Sequence, residues 1–165
     1  MVNFFSFQGT VTMISDFFID QNGESEGCYK IITAENSSRT VVNFVVSPTT
    51  YFVDQAMVRV GDIITGYYDG NAPVPLIYPP QYRALVVVKE VPFQNVKVGY
   101  FNGNLESMDG QLKLIPSPFT QLLLTNGQDF TGTVANRNLI VIYGPSTKSI
   151  PAQTTPYKII VWCSL

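Results

Sequence analysis

The chain has 165 residues, of which 45% are apolar and 13% charged, and its formal net charge is −2. This length suffices for one ordinary domain or two small ones, and the scattered cations exclude the basic surface that phosphate-backbone binders present. Because a typical soluble domain has about 25% charged residues, the deficit indicates a surface rich in uncharged polar side chains, or one covered by another chain.

Strand patterns predict an all-β fold with almost no helix. The segment "FQGTVTM" (7–13) alternates cleanly between apolar and polar residues, as a half-buried strand does. Four more strands are predicted in the first half, at 28–34, 39–46, 62–69 and 82–91. Five are predicted in the second half, at 96–101, 110–115, 120–125, 138–144 and 157–162.

Short strands separated by Gly-rich and Asn-rich turns are typical of small barrels or sandwiches. We therefore predict two tandem barrels of about five strands each, OB-like or sandwich-like, formed by residues 1–91 and 92–165. Residues 1–91 hold nine acids and five bases, a net charge of −4, whereas the remainder holds three acids and five bases, a net charge of +2. This asymmetry allows the halves to attract each other, or to pair between copies.

A weak internal repeat links the two halves. The first half contains "YYDGNAPVPLIYPPQY" (67–82), with four tyrosines and four prolines, and the second contains "YGPSTKSIPAQTTPY" (143–157). An alignment without gaps places Tyr68 on Tyr143 and Tyr82 on Tyr157, fourteen residues apart in both halves. Each predicted module thus has a strand ending in Tyr, a Pro-containing loop and a strand beginning with Tyr.

The segments "YYDGNAPVPLIYPPQY" and "RNLIVIYGPSTKSIPAQTTPYKIIV" resemble an uncharacterised family of small bacterial all-β proteins with OB-like barrels. The resemblance covers the two loop regions and implies no activity.

The Pro/Tyr loop supplies the candidate ligand-binding residues. Prolines hold a loop extended at low entropic cost, so its tyrosines can act as stacking platforms for sugars or bases. The tyrosines that flank the loops recur in both halves, and we predict that they are structural caps: Tyr68, Tyr82, Tyr143 and Tyr157. The candidate ligand-binding residues are Tyr67, Tyr78 and, as an alternative to its capping role, Tyr143.

Three other motifs have simpler interpretations. "PPQY" (79–82) matches the PPxY ligand of WW domains, but Tyr82 is predicted to begin a buried strand. "DQNGESE" (20–26) has alternating oxygen ligands but departs from the calcium-binding loop pattern, so a charged hairpin turn is predicted. Asp62 and Asp69 are acids at opposite ends of one predicted strand, which is unsuited to a catalytic carboxylate pair.

Catalysis has little support because the chain has no histidine. Histidine-dependent nucleophiles and zinc sites are therefore impossible, and we predict neither an enzyme nor a metal site nor a cofactor. Cys28 and Cys163 would be free thiols in a reducing compartment, and we expect them to fill strand positions. The N-terminus lacks a secretory pattern and no apolar run is long enough to cross a bilayer, so a cytoplasmic protein without membrane contact is expected.

The sequence thus favours a non-enzymatic interaction or assembly protein that forms homo-oligomers, or binds a protein partner, through low-charge, tyrosine-rich β surfaces. The alternative is a binding module for glycans or other small polar ligands. A carboxylate hydrolase is disfavoured, and so is a nucleic-acid binder, since no positive groove is evident.

Overall fold

The computed structural model describes residues 1–18 and 23–163, in which regular structure is almost entirely extended. The only helical element among these residues is a 3₁₀ turn, Val53–Gln55. The strands are β1 (Phe4–Asp16), β2 (Lys30–Glu35), β3 (Val41–Val46), β4 (Tyr51–Phe52), β5 (Ile63–Asp69), β6 (Gln81–Arg83), β7 (Val86–Lys89), β8 (Asn95–Phe101), β9 (Leu112–Leu114), β10 (Gln121–Leu124), β11 (Arg137–Tyr143), β12 (Ala152–Thr154) and β13 (Lys158–Val161). The all-β prediction is confirmed.

The chain divides into two compact units. The first unit comprises Val2–Glu90, and the second comprises Val91–Leu165 together with Met1. The division lies beside the Val91/Pro92 boundary expected from the sequence. Each unit has its own sheet pairings and its own apolar core.

Strand β1 organises the first unit because its two halves pair with different neighbours. Its first half pairs antiparallel with β5, and its second half pairs antiparallel with β2. A register shift between Val11 and Met13 marks the irregularity that follows this change of partner. Strand β2 then pairs with β3, while the segment 81–89 pairs with β3 through β6 and with β5 through β7.

The second unit uses a shorter set of pairings. Strands β8 and β13 both pair antiparallel with β11, and β10 pairs parallel with β13. A separate parallel pair joins β9 to β12. Isolated bridges, from Phe101 to Ser107 and from Glu106 to Lys113, occur in the segment between β8 and β9.

Parallel pairs of short strands distinguish the observed architecture from the predicted one. They join β3 to β6, β4 to β7, β9 to β12 and β10 to β13, so that segments distant in the chain lie side by side. Stacking of this kind is typical of a β-solenoid of about three turns, and the prediction of two barrels of about five strands is not confirmed. The sequence pattern indicated the strands but carried no information on which of them pair in parallel.

Both units contain the same Ser-Pro-x-Thr turn before a short parallel strand. In the first unit, Thr50 Oγ1 accepts the Ser47 amide (3.0 Å) and donates to the Ala84 carbonyl (2.9 Å). In the second unit, Thr120 Oγ1 accepts the Ser117 amide (3.1 Å) and donates to the Pro156 carbonyl (2.8 Å). One hydroxyl thus bonds each turn to a connection between two strands, more than thirty residues further along the chain.

These hydrogen bonds change the register of the proposed repeat. The residue after each threonine donates its amide to Leu85 in the first unit and to Tyr157 in the second. Tyr157 therefore occupies the position of Leu85, and the predicted equivalence of Tyr82 and Tyr157 is wrong. The gapless alignment failed because the loop after β11 is three residues shorter than the loop after β5 at this register. The repeat itself stays a prediction.

Each unit buries one continuous apolar cluster between its strands. The first contains Val11, Ile32, Ala34, Val42, Phe44, Ile64, Ala84 and Val87. The second contains Phe101, Leu112, Leu114, Leu139, Val141, Ile159 and Val161. Phe44 is the largest side chain of the first cluster and is fully buried.

A glycine in β5 makes room for the Phe44 ring. A Cβ atom added to Gly66 would lie 2.5 Å from Phe44 Cζ and 2.7 Å from two other ring carbons. Real Cβ atoms do not approach other heavy atoms so closely, and Phe44 is held in place by the surrounding core. The absence of a side chain at position 66 therefore sets how deeply this ring is buried.

Replacement of Gly66 by alanine is expected to destabilise the protein by about 1–3 kcal/mol, because the buried ring must move to relieve the overlap. Gly99→Ala is the matched control, since Gly99 also lies in a strand and its added Cβ meets nothing within 4 Å. The control should change the free energy of unfolding by less than about 0.5 kcal/mol. Urea unfolding of both variants measures the difference, and equal losses would contradict the packing argument.

Candidate ligand groove in the first unit

The Pro/Tyr loop between β5 and β6 spans residues 70–80 and contains no strand or helix. Its first turn is fixed by Asp69, whose Oδ1 accepts the Asn71 amide (3.0 Å) and the Asn3 amide (3.2 Å). Four prolines restrict the backbone of the loop. The loop ends in a cis peptide bond between Tyr78 and Pro79, and the corresponding loop of the second unit has one between Ile150 and Pro151.

A groove of about 650 Å³ lies beside this loop, and every residue that lines it belongs to the first unit. Its walls come from the ends of β3 and β5, the Ser-Pro-x-Thr turn, the Pro/Tyr loop and the segment that begins with β6. The lining residues are Val2, Phe17, Tyr29, Val45, Ser47, Pro48, Thr49, Tyr68, Asp69, Ala72, Pro73, Val74, Pro75, Gln81, Tyr82, Arg83 and Leu85.

Tyr68 and Tyr82 form a stacked pair in the groove. Their ring centroids are 3.9 Å apart and the ring planes differ by 5°. The parallel register places Tyr82 beside Phe44 of β3, and the Phe44 ring also lies 6.5 Å from the Tyr68 ring. Phe5 contacts Tyr68 edge to face at 6.1 Å. The pair therefore contacts one aromatic core residue, Phe44, and one half-exposed ring, Phe5, and these contacts fix its orientation before any ligand binds.

The environment of Tyr68 makes its hydroxyl a weaker acid than that of an ordinary tyrosine. Burial, together with the charge and hydrogen bonding of the neighbouring Tyr82 hydroxyl, raises the pKa of Tyr68 to about 12. Tyr68 is therefore neutral at physiological pH and offers a hydrogen-bonding hydroxyl beside a flat ring.

The polar groups of the groove lie around the tyrosine pair. In β6, Tyr82 is preceded by Gln81 and followed by Arg83, whose side chain is exposed. The hydroxyls of Ser47 and Thr49 lie 2.9 Å apart in the adjacent turn. The groove thus combines an apolar wall of prolines and aliphatic residues with a few polar groups, as small-molecule sites commonly do.

The structure places the predicted cap residues, not the predicted ligand residues, in the groove. Tyr68 and Tyr82 both line it, whereas Tyr67 and Tyr78 do not. Tyr67 follows the strand alternation and points to the opposite face of β5 from Tyr68. Tyr78 is 82% exposed at the end of the loop. A strand pattern indicates which face a tyrosine occupies, but the stacking of residues 14 positions apart depends on the β3–β6 register.

The remaining predicted tyrosines, Tyr143 and Tyr157, lie in the second unit. Tyr143 is half-buried at the end of β11, and burial together with the nearby Asp109 carboxylate raises its pKa. Tyr157 is 53% exposed and places its hydroxyl against Gly144, where any Cβ atom would overlap it.

The other motifs of the sequence, namely the calcium-like loop, the PPxY motif and the aspartate pair, do not form a second site among the described residues. Part of the calcium-like loop falls on residues 19–22, outside the described residues, and the rest forms turns. Tyr82 of the PPxY motif is half-buried in the stacked pair. Asp62 pairs with Lys89 at 3.4 Å, at the opposite end of β5 from Asp69. Among residues 1–18 and 23–163, no three acidic or cysteine side chains are grouped as metal ligands.

The two cysteines differ from expectation. Cys28 and Cys163 are free thiols, but both are exposed and neither lies in a strand. The prediction that they fill strand interiors is wrong, because β2 begins at Lys30 and β13 ends at Val161.

In the part of the chain that the structure describes, no helix has the length and apolar character needed to cross a membrane. Comparison with known proteins found no matching family model, curated protein or solved structure.

Replacement of Tyr68 by phenylalanine is expected to remove the tyrosine that titrates near pH 12. The raised pKa favours the neutral folded state, so this stabilising contribution is complete below pH 10 and is lost as the pH rises toward 12. Tyrosinate absorbance measured against pH should therefore lose its latest step in Tyr68→Phe and keep it in Tyr78→Phe. Loss of an ordinary step near pH 10 instead would contradict the burial of the Tyr68 hydroxyl.

Proposed function

We propose that the protein is a non-enzymatic binding and interaction protein whose first unit holds a ring-shaped polar ligand, such as a glycan, in the groove. The stacked Tyr68–Tyr82 pair carries this proposal, because it presents aromatic surface that is already ordered by Phe5 and Phe44. Flat aromatic rings bind sugar rings and bases by stacking, and an ordered platform loses little entropy when the ligand binds.

The size and composition of the groove support a small ligand. Its volume of about 650 Å³ falls within the range of about 300–1,000 Å³ that ligand sites occupy. The prolines of the wall limit the motion of the loop, and the hydroxyls of Ser47 and Thr49 can exchange their mutual hydrogen bond for one to a ligand. A groove with hydroxyls, an amide and one arginine suits hydroxylated rings better than purely apolar molecules.

We also propose that the strands of the first unit form an OB-like module. The pairings lead from β1 through β2 and β3 to the segment 81–89, and from there through β5 back to β1. Such a circuit is compatible with the OB-like module expected from the sequence. In OB-folds, the loops after the first and fourth strands bind oligosaccharides and oligonucleotides. In an OB-like module, Phe17, Tyr29 and the Pro/Tyr loop, which line the groove, would belong to these two loops.

A panel of neutral oligosaccharides titrated into isotopically labelled protein is expected to shift the amide signals of groove residues. Tyr82→Ala should weaken this binding about tenfold or more, because base and sugar stacking contributes about 1–3 kcal/mol per ring. Tyr78→Ala is the matched control, since Tyr78 lies in the adjoining Pro/Tyr loop but outside the groove. The groove proposal fails if no sugar shifts these signals, or if Tyr78→Ala has the larger effect.

Self-association is a second candidate function, favoured by exposed apolar side chains at turns and loop ends. Leu76, Phe93, Phe119 and Ile150 are each at least 85% exposed. Scattered exposed apolar residues are common, but large ones at these positions, on a chain with few charges, favour contact with another protein surface. A homo-oligomer is the partner that the sequence composition indicates. Cytoplasmic location, also expected from the sequence, stays a prediction.

Light scattering coupled to size-exclusion chromatography is expected to give a mass above that of one 18.3 kDa chain. The double variant Phe93→Ser/Phe119→Ser should shift the mass toward the monomer, because it removes apolar area from the contact. The mass of the Leu76→Ser variant, which changes an exposed apolar residue of the first unit, is measured for comparison with that of the double variant. A monomer at every protein concentration, at both low and high salt, would exclude self-association.

A further inference from the structure

Arg83 is the cation of the groove and has no partner among the described residues. It lies on β6 beside Val45 of β3, and both residues line the groove. None of the ion pairs or side-chain hydrogen bonds found within residues 1–18 and 23–163 involves its guanidinium group. A guanidinium group offers five donors in a planar fork that matches a carboxylate.

Two of the other four cations of the first unit form ion pairs with carboxylates. Lys30 contacts Asp16 at 2.6 Å, and Lys89 contacts Asp62 at 3.4 Å. The carboxylate of Asp62 also accepts the Arg59 amide. Arg39 is exposed in the turn between β2 and β3, outside the groove. Within residues 2–18 and 23–90, the groove therefore contains a positive charge that no ion pair neutralises.

The acid of the groove does not compensate Arg83. Asp69 Oδ1 accepts two backbone amides, from Asn3 and Asn71, and no ion pair within 4.0 Å joins Asp69 to Arg83. Hydrogen bonds from backbone amides hold this carboxylate in its turn. The groove thus contains one cation, Arg83, and one carboxylate, Asp69, which is held by backbone amides and not by Arg83.

The charge of the whole unit limits how acidic the ligand can be. Residues 1–91 have four more acids than bases, so a chain of phosphates would be repelled by the unit and would find one cation instead of several. A ligand with a single acidic group gains the contact with Arg83 and avoids most of this repulsion. A ring beside that group is needed for stacking on Tyr82.

We propose that the groove binds a sugar carrying a single carboxylate, with the sugar ring on the Tyr82 side of the tyrosine pair and the carboxylate on Arg83. The inference rests on the proposed function and adds the charge of the ligand. A bidentate pair between guanidinium and carboxylate also fixes the direction of the sugar in the groove.

Glucuronic acid and glucose are the matched probes, followed by amide shifts in the labelled protein. We expect glucuronic acid to bind about tenfold more tightly than glucose. Arg83→Gln should remove this preference and weaken glucuronic acid binding by about tenfold, as expected for loss of a charge-assisted hydrogen bond. Arg83→Lys, which keeps the charge but not the fork, should lie between. Arg39→Gln is the control and should bind like the unchanged protein.

Equal binding of the two sugars, with no effect of Arg83→Gln, would overturn the inference and leave the stacking site intact. Equal weakening by Arg83→Gln and Arg39→Gln would also overturn it, because it would indicate general attraction rather than a contact. If a nucleoside monophosphate binds more tightly than glucuronic acid, the inference is overturned, because the ligand of the groove would then be a nucleotide. Absence of groove shifts with glucuronic acid overturns the inference, while the neutral oligosaccharide panel decides the proposed function separately.

Discussion

The dual pairing of segment 81–89 is the constraint on which the first unit depends. Strand β6 bonds to β3 in parallel, and after Ala84 the chain turns so that β7 bonds to β5 antiparallel. The Ala84 amide donates to the Val45 carbonyl at 3.0 Å and the Leu85 amide to the Tyr67 carbonyl at 2.8 Å. Two neighbouring residues are therefore bonded to two different strands, β3 and β5. Neither of these pairings can change register without breaking the hydrogen bonds of the other.

The groove follows from this constraint. Because the β3–β6 register is fixed, Tyr82 lies next to Phe44, and the Tyr68 ring at the end of β5 reaches the same place. Gly66, two residues earlier in β5, leaves space for the Phe44 ring beneath the pair. The aromatic surface is thus an extension of the core, and a change of register would remove it together with the position of Arg83.

The sequence predicted local structure better than it predicted contacts. Alternation along β1 and the β-branched runs of β5 and β11 indicated strands because burial acts directly on their periodicity. The pairing of distant strands left no such pattern, so parallel pairs and the Tyr68–Tyr82 stack were missed. One signal was available: "SPTT" (47–50) and "SPFT" (117–120) share a spacing that the turn hydrogen bonds explain.

The exposed thiols have a practical consequence. The first unit carries Cys28 and the second carries Cys163, so each unit has one accessible thiol of its own. Spin labels or fluorophores attached to the native thiols would therefore report the distance between the units without any added cysteine. The Cys28 thiol donates to the Glu24 carbonyl at 3.3 Å. A label on Cys28 would therefore be attached to a residue in a defined turn. The second unit can thereby serve as an internal reference for motion in the first.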